Sequence, residues 1–213
     1  MRNRNIFLRM FILMIGILLL IGSASEAQQN KKMEQMPKNS TQGNKKSSIP
    51  DWNNKVRISP RAFITETIGL TDVTISYSRP GVKGRKIWGG LVPYNKVWRA
   101  GANEATKITF STDVWIKGKK FPAGSYSFFI IPNGNKDWTI IFNKVADQWG
   151  AFEYNEAEDF ARFNVKPQST DFHEWLFYSF NNMKVNDKDK NSAEVNLNWE
   201  KISVPFTIET EVK

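Results

Sequence analysis

The sequence predicts an all-β domain: an antiparallel β-sandwich of jelly-roll or immunoglobulin-like type, or a flattened barrel, with little helix. Three observations predict it. The chain holds fifteen Phe, eight Trp and five Tyr, residue types that suit a pleated, half-buried surface and carry large apolar area. From Ile58 onward apolar residues recur at period two over short stretches separated by clusters of Gly, Pro, Asn or Asp, the pattern of strands joined by turns. No segment longer than about ten residues keeps a helical period, Asn155–Ala161 being the best short candidate.

In chain order, Val73, Ile75 and Tyr77 alternate with Thr74, Ser76 and Ser78, and Ile108 and Phe110 with Lys107 and Thr109. Val114-Trp115-Ile116 runs through Lys117-Gly118-Lys119-Lys120 to Phe121, a hairpin-like sequence. Pro122-Ala123-Gly124 turns into Tyr126, Phe128 and Ile130, and Pro132-Asn133-Gly134-Asn135 into Trp138, Ile140 and Phe142. Later strands are expected at Ala161, Phe163 and Val165, from Trp175 to Phe180, at Val195, Leu197 and Trp199, and at Val204, Phe206 and Ile208. Short strands with turn chemistry between them indicate an antiparallel sandwich or barrel.

Three segments are expected. Residues 1–27 read as a cleavable signal peptide, with Arg2, Arg4 and Arg9 ahead of the apolar run Met10–Ile21 and small residues Ser25 and Ala27 before a cut at Gln28. That run falls short of the about 20 residues needed to span a bilayer, so no stable membrane anchor is expected after cleavage. Residues 28–57 read as a disordered basic linker, rich in Lys, Asn, Gln and Ser without an apolar period. Residues 58–213 read as a single β-rich domain. The chain has no Cys, which removes disulfides, thiolate ligands, a Cys nucleophile and a lipidated Cys, and the expected compartment is periplasmic or secreted.

The formal charge of +9 suggests nucleic acid until it is divided along the chain. Residues 1–27 carry +2 and residues 28–57 carry +5, which leaves +2 on the remaining 156. The folded part is nearly neutral, and nucleic acid is not an expected partner.

His173 is the single histidine, so any imidazole base must be this one, flanked by Asp171 and Glu174, with Ser169 or Ser179 as conceivable nucleophiles. One His and no Cys leave zinc without a ligand set. Asp187-Lys188-Asp189-Lys190-Asn191 begins like a calcium loop, but Ser192 stands where Gly is needed and Asn198 where the bidentate Glu belongs. Gly81-Val82-Lys83-Gly84-Arg85-Lys86 lacks the spacing of a phosphate loop. No metal or cofactor is expected.

The densest cluster of unusual residues is Tyr77–Thr106, a long structured loop by its lack of alternation. Such loops carry binding groups on β scaffolds. Arg79, Arg85 and Arg99 offer planar forks for a carboxylate, sulfate or phosphate. Trp88, Tyr94 and Trp98 offer stacking faces, and Asn103 and Glu104 offer orienting polar groups. The competing reading has Arg79, Arg99 and Glu104 pairing with one another and with carbonyls to brace the loop, with Trp98 in the core.

The same residues carry a resemblance. Tyr77-Ser78-Arg79-Pro80, Lys83-Gly84-Arg85, Gly90-Leu91-Val92-Pro93-Tyr94, Val97-Trp98-Arg99 and Gly101-Ala102-Asn103-Glu104-Ala105-Thr106 resemble the hallmark of a bacterial exported family catalogued as domain of unknown function 2911. Phe121–Ser127, Trp138–Asn143, Gln148-Trp149-Gly150, Trp199-Glu200 and Val204-Pro205-Phe206 extend the match over Ile58 to Ile208. The resemblance implies an exported β-rich domain and brings no activity, substrate or catalytic residue.

The expected function is therefore that of a non-enzymatic cell-envelope domain, binding a saccharide or small anion through Arg79, Arg85, Trp98, Arg99, Asn103 and Glu104. The alternative is a hydrolase or lyase on an envelope polymer, using Glu104 or His173 as acid or base. Whether Glu104 faces a second carboxylate across an open cleft or sits in a salt bridge separates the two.

Overall fold

The computed structural model describes residues 56–185 and 190–211. The proposed signal peptide and most of the basic linker lie outside the described residues, as do positions 187–189 of the calcium-like run. Two antiparallel sheets form the domain. The first has six strands in the order β1-β2-β3-β6-β7-β8: β1 Arg61–Ile68, β2 Thr71–Ser78, β3 Thr106–Phe110, β6 Gly124–Ile131, β7 Trp138–Asn143 and β8 Asp159–Val165. The second has four in the order β5-β4-β10-β9: β4 Val114–Ile116, β5 Lys119–Phe121, β9 Gln168–Lys184 and β10 Asn191–Thr210. The sheets do not close into a barrel, which decides between the two expected architectures in favour of the sandwich.

Period-two alternation sets which side chains meet between the layers. Val73, Ile75, Ile108, Phe110, Phe128, Ile130, Ile140 and Phe142 come from the larger sheet, and Val114, Ile116, Phe121, Leu176, Leu197 and Phe206 from the smaller; all are buried in one cluster. The β4–β5 hairpin turns at Lys117 and Gly118, with φ of 49° and 77°, the paired left-handed geometry of a two-residue turn that glycine adopts without steric cost.

Three sequence expectations change. Arg61–Ile68, which carries no clear apolar alternation, pairs with β2 from Arg61↔Ser78 to Ile68↔Thr71; its core face is the fully buried Ile68 with Ala62 and Ile64 partly buried, while Phe63 is exposed. Asn155–Ala161 holds only a 3-10 turn, Glu156–Glu158, capped by the Asn155 side chain, before β8 begins at Asp159. The apolar runs at Val195–Trp199 and Val204–Ile208 are one strand. Their parity differs because register shifts flank Glu200, whose φ is 56°, and the bulge returns the apolar face to the core.

The outer face of the larger sheet is also partly covered. Ala105, Phe129 and Ile141 are buried there with Val97, Ala151 and Tyr154 against them. Tyr154 donates to Asp159 at 2.7 Å, and burial first, then this bond, pushes its phenol up to about 12.

Candidate functional site

The segment between β2 and β3 is laid down by isolated pairings rather than by a ladder. Gly81 bridges to Trp175 and Trp98 to Ile130, while Glu104 bridges to Trp149. The Trp98 N–H donates to Ile130 O at 2.8 Å and the Trp98 carbonyl accepts from the Ile130 N–H at 2.9 Å, so Trp98 sits opposite a core residue of β6 and its ring turns inward. The chain then makes a tight corner. Ala100 has φ 52° and Asn103 φ 58°, a left-handed geometry that costs an L-residue roughly 1–2 kcal/mol. The corner is held because Thr106 Oγ1 and Tyr178 OH both donate to Ala100 O, at 3.0 and 2.9 Å. A Cβ at Gly101 would come within 3.0 Å of Thr106 Oγ1 and 3.2 Å of Ser78 O, so a side chain there would displace the backbone.

Trp98 joins Trp88, Trp138 and Trp199 in a tryptophan cluster. Ring centroids lie 4.7 Å apart for Trp88 and Trp138, 5.7 Å for Trp88 and Trp98, and 5.9 Å for the stacked pair Trp98 and Trp199. Trp98 Nε1 donates to Gly101 O at 3.2 Å. The other three indole N–H groups are buried without an acceptor, as is Arg99 Nε, and these four are the buried side-chain polar atoms lacking a partner among the described residues. Such groups are rare in folded proteins and each calls for an explanation.

Beside the cluster lies a cleft of about 290 Å³ lined by Ile58, Ser59, Pro80, Gly81, Lys83, Arg85, Leu91, Val92, Trp98, Arg99, Gly101, Ala102, Asn103 and Trp199. The six residues singled out from sequence separate as follows. Arg85, Trp98, Arg99 and Asn103 line the cleft, and Arg79 and Glu104 do not. Arg79 Nε is committed to Leu176 O at 2.8 Å, and Arg85 donates to Val82 O and Gly81 O at 3.1 and 2.6 Å. Asn103 Nδ2 donates to Ser59 O at 3.3 Å. Trp98 is core on one side and cleft wall on the other, so the expected stacking face is spent on Trp199.

Glu104 is the correction to the bracing scheme. Its two carboxylate oxygens accept from Arg57 Nη1 and Nη2 at 2.7 and 2.8 Å, so its partner is Arg57, not Arg79 or Arg99. Burial, the largest single influence, raises its pKa, but the Arg57 bonds, a backbone bond and the charges of Arg57 and Arg61 together hold it below the ordinary carboxylate value. The same bond raises Arg57. Arg57, assigned by composition to the linker, is thus held on the domain, and with Asn103 to Ser59 and the Arg79 N–H to Pro60 O at 2.8 Å it straps residues 57–60 along the cleft.

Arg99 is left over. Burial alone depresses its pKa, although a guanidinium stays charged in any protein. No carboxylate lines the cleft, and none pairs with Arg99 among the described residues. His173 lies on β9 away from the cleft lining, its Nε2 3.4 Å from Thr170 Oγ1 and its ring edge-on to Phe177 at 4.9 Å. Glu104 in its ion pair and His173 outside the cleft leave the acid–base reading without facing groups. No cluster of His, Cys, Asp and Glu suited to a metal occurs among the described residues.

Trp199 and the strap residues Arg57, Ile58 and Ser59 were not picked out as site residues. The sequence flagged Trp199 as a strand position and as part of the Trp199-Glu200 motif, about a hundred residues from the loop it joins.

A family model described as protein of unknown function (DUF2911) matches residues 59–208. The chain belongs to that family. The DUF2911 match takes in Ser59 and Pro60 of the strap, both sheets as far as Ile208 and every cleft residue except Ile58. No curated protein and no solved structure matches the chain.

Proposed function

We propose that this DUF2911 domain is an exported, non-enzymatic binding module of the bacterial cell envelope, periplasmic or secreted, which takes a small saccharide or anionic ligand in the cleft beside the tryptophan cluster. The observation that carries the binding reading is Arg99, a half-buried guanidinium lining a cleft with its Nε buried and unpartnered. An unpaired buried donor costs about 1–3 kcal/mol, and a ligand that accepts from it recovers that cost. The lining mixes apolar walls with a few convergent polar groups, as small-ligand sites do. Export rests on the sequence pattern of residues 1–27.

Two experiments test the proposal. Fractionation of the producing cell, with sequencing of the mature amino terminus, is expected to find the protein outside the cytoplasm and starting at Gln28. Calorimetric titration with a panel of envelope saccharides and small anions, read in parallel by tryptophan emission because Trp98 and Trp199 wall the cleft, is expected to find a ligand; an empty panel would sink the binding reading.

A further inference from the structure

The electrostatics of the cleft narrow the ligand further than the binding proposal on which this step rests. Its lining holds three cations, Lys83, Arg85 and Arg99, and no carboxylate. Two acids lie beside it: Glu104, with both oxygens committed to Arg57, and Glu174, whose Oε1 accepts from the Lys83 backbone N–H at 2.9 Å. Lys83 lies with its Nζ 5.7 Å from the Trp175 ring, and Arg85 keeps its charge while Nε and Nη2 hold carbonyls of the loop. None of the three forms an ion pair among the described residues.

A neutral sugar needs an exposed aromatic platform and mixed donors and acceptors. The cleft lacks the platform, and its neutral polar side chains are two, Ser59 and Asn103, the Asn103 amide N–H already donating to Ser59 O. Trp98 and Trp199 are stacked on each other at 5.9 Å and buried, 9% and 1% exposed, so their faces are turned to one another. The charged donor in the lining is the Arg99 guanidinium, half-buried and with no acceptor on its Nε. A group rich in acceptors, planar or tetrahedral, and negatively charged meets that set, and arginine's fork is the side chain best matched to it. The volume of about 290 Å³ sits at the small end of ligand pockets, room for a small molecule rather than a polymer segment.

We infer that the cleft is an oxyanion site seated on the Arg99 guanidinium, with Lys83 and Arg85 as unneutralised charges in its walls, and that its ligand is a small molecule anchored by a carboxylate or phosphate. Arg99 makes the contact. Arg85 acts chiefly by shaping the loop and by its field.

The test titrates the chain as the cell processes it with acetate, inorganic phosphate, glucuronate and glucose, by calorimetry and tryptophan emission. Glucuronate and glucose differ by the carboxylate on one ring, and acetate and phosphate distinguish the two sources of the oxyanion. Binding of at least one oxyanion, none of glucose, and a loss of about tenfold or more in Arg99→Met are expected, since a hydrogen bond to a charged group is worth about 1.5–3 kcal/mol. Arg85→Met is expected to lose about threefold, the scale of a partly exposed charge. If Arg99→Met fails to fold by circular dichroism, the Arg99 Nε–H resonance of the parent replaces it, and must shift on adding the bound anion. Glucose binding as tightly as glucuronate, or oxyanion binding that leaves Arg99 unmoved, would overturn the inference while leaving a binding domain. Binding of none of the four would overturn the inference, and the wider panel then decides the parent proposal.

Discussion

The two aromatic clusters of the sandwich occupy different stretches of β6 and follow different rules. Near Tyr126 the cluster is phenyl: Phe121 lies 4.9 Å from Phe142, 4.8 Å from Phe160 and 5.6 Å from Tyr126, and the one hydroxyl present donates to Pro122 O at 3.0 Å. Near Ile130 the cluster is indole, and three of its four N–H groups and Arg99 Nε are buried without acceptors. The first region is packed for stability. The second carries a polar deficit that packing does not explain, on the side of the molecule where the cleft opens. Concentrating unmet donors at one place is what a ligand site costs the free protein.

That contrast can be broken by substitution. Phe121→Ala is expected to have the largest effect, a loss of about 3–5 kcal/mol in urea unfolding, because truncating a fully buried ring leaves a cavity that close packing fills poorly. Trp138→Phe should cost much less, about 1–2 kcal/mol, since lost ring volume is offset by removal of a buried donor whose desolvation is unfavourable. A cost equal to that of Phe121→Ala would show that the indole N–H is satisfied in solution.

Glu104→Gln is expected to cost about 1 kcal/mol at neutral pH, the scale of a well-formed, partly buried ion pair. The dependence on pH has a definite sign. The folded-state pKa of Glu104 is depressed, so its contribution is complete above the unfolded value of about 4.3 and is lost as pH falls through the lower folded value. Unfolding curves of parent and variant should therefore converge in acid. Parallel curves throughout would place the effect elsewhere. Smallest of all, Arg99→Met should leave the unliganded protein as stable or up to about 1 kcal/mol more stable, because relief of an unpaired buried donor is offset in part by the lost packing of a half-buried side chain. A large loss would mean that Arg99 braces the loop after all.

Much of the fold was legible because the core is built by alternation. Seven of the expected strand positions, from Val73 to Val165, need nothing beyond period two to be found. β1 escaped because its inward face, Ala62, Ile64 and Ile68, is interrupted by Glu66 and opposed by an exposed Phe63, and β10 was divided because a bulge at Glu200 reverses parity in mid-strand. The loop Tyr77–Thr106, singled out by composition, supplies most of the cleft lining, Arg99 included. Its division of labour was not legible. Arg79 and Arg85 are spent on carbonyls and Glu104 on Arg57, and those choices depend on partners 97 and 47 residues distant for Arg79 and Glu104, which local spacing does not encode.

The central position of β10 carries a consequence for the order of assembly. It is the strand to which both β4 and β9 pair, and at its far end Thr210 Oγ1 donates to Ile68 O, 142 residues earlier, at 3.0 Å. Until Asn191–Thr210 has emerged, the smaller sheet has no middle and the larger one no lid, so the Val73–Phe142 apolar face stays open. Contacts this remote make closure slow and late. The arrival of β10 therefore sets the moment at which the two layers can close on one another.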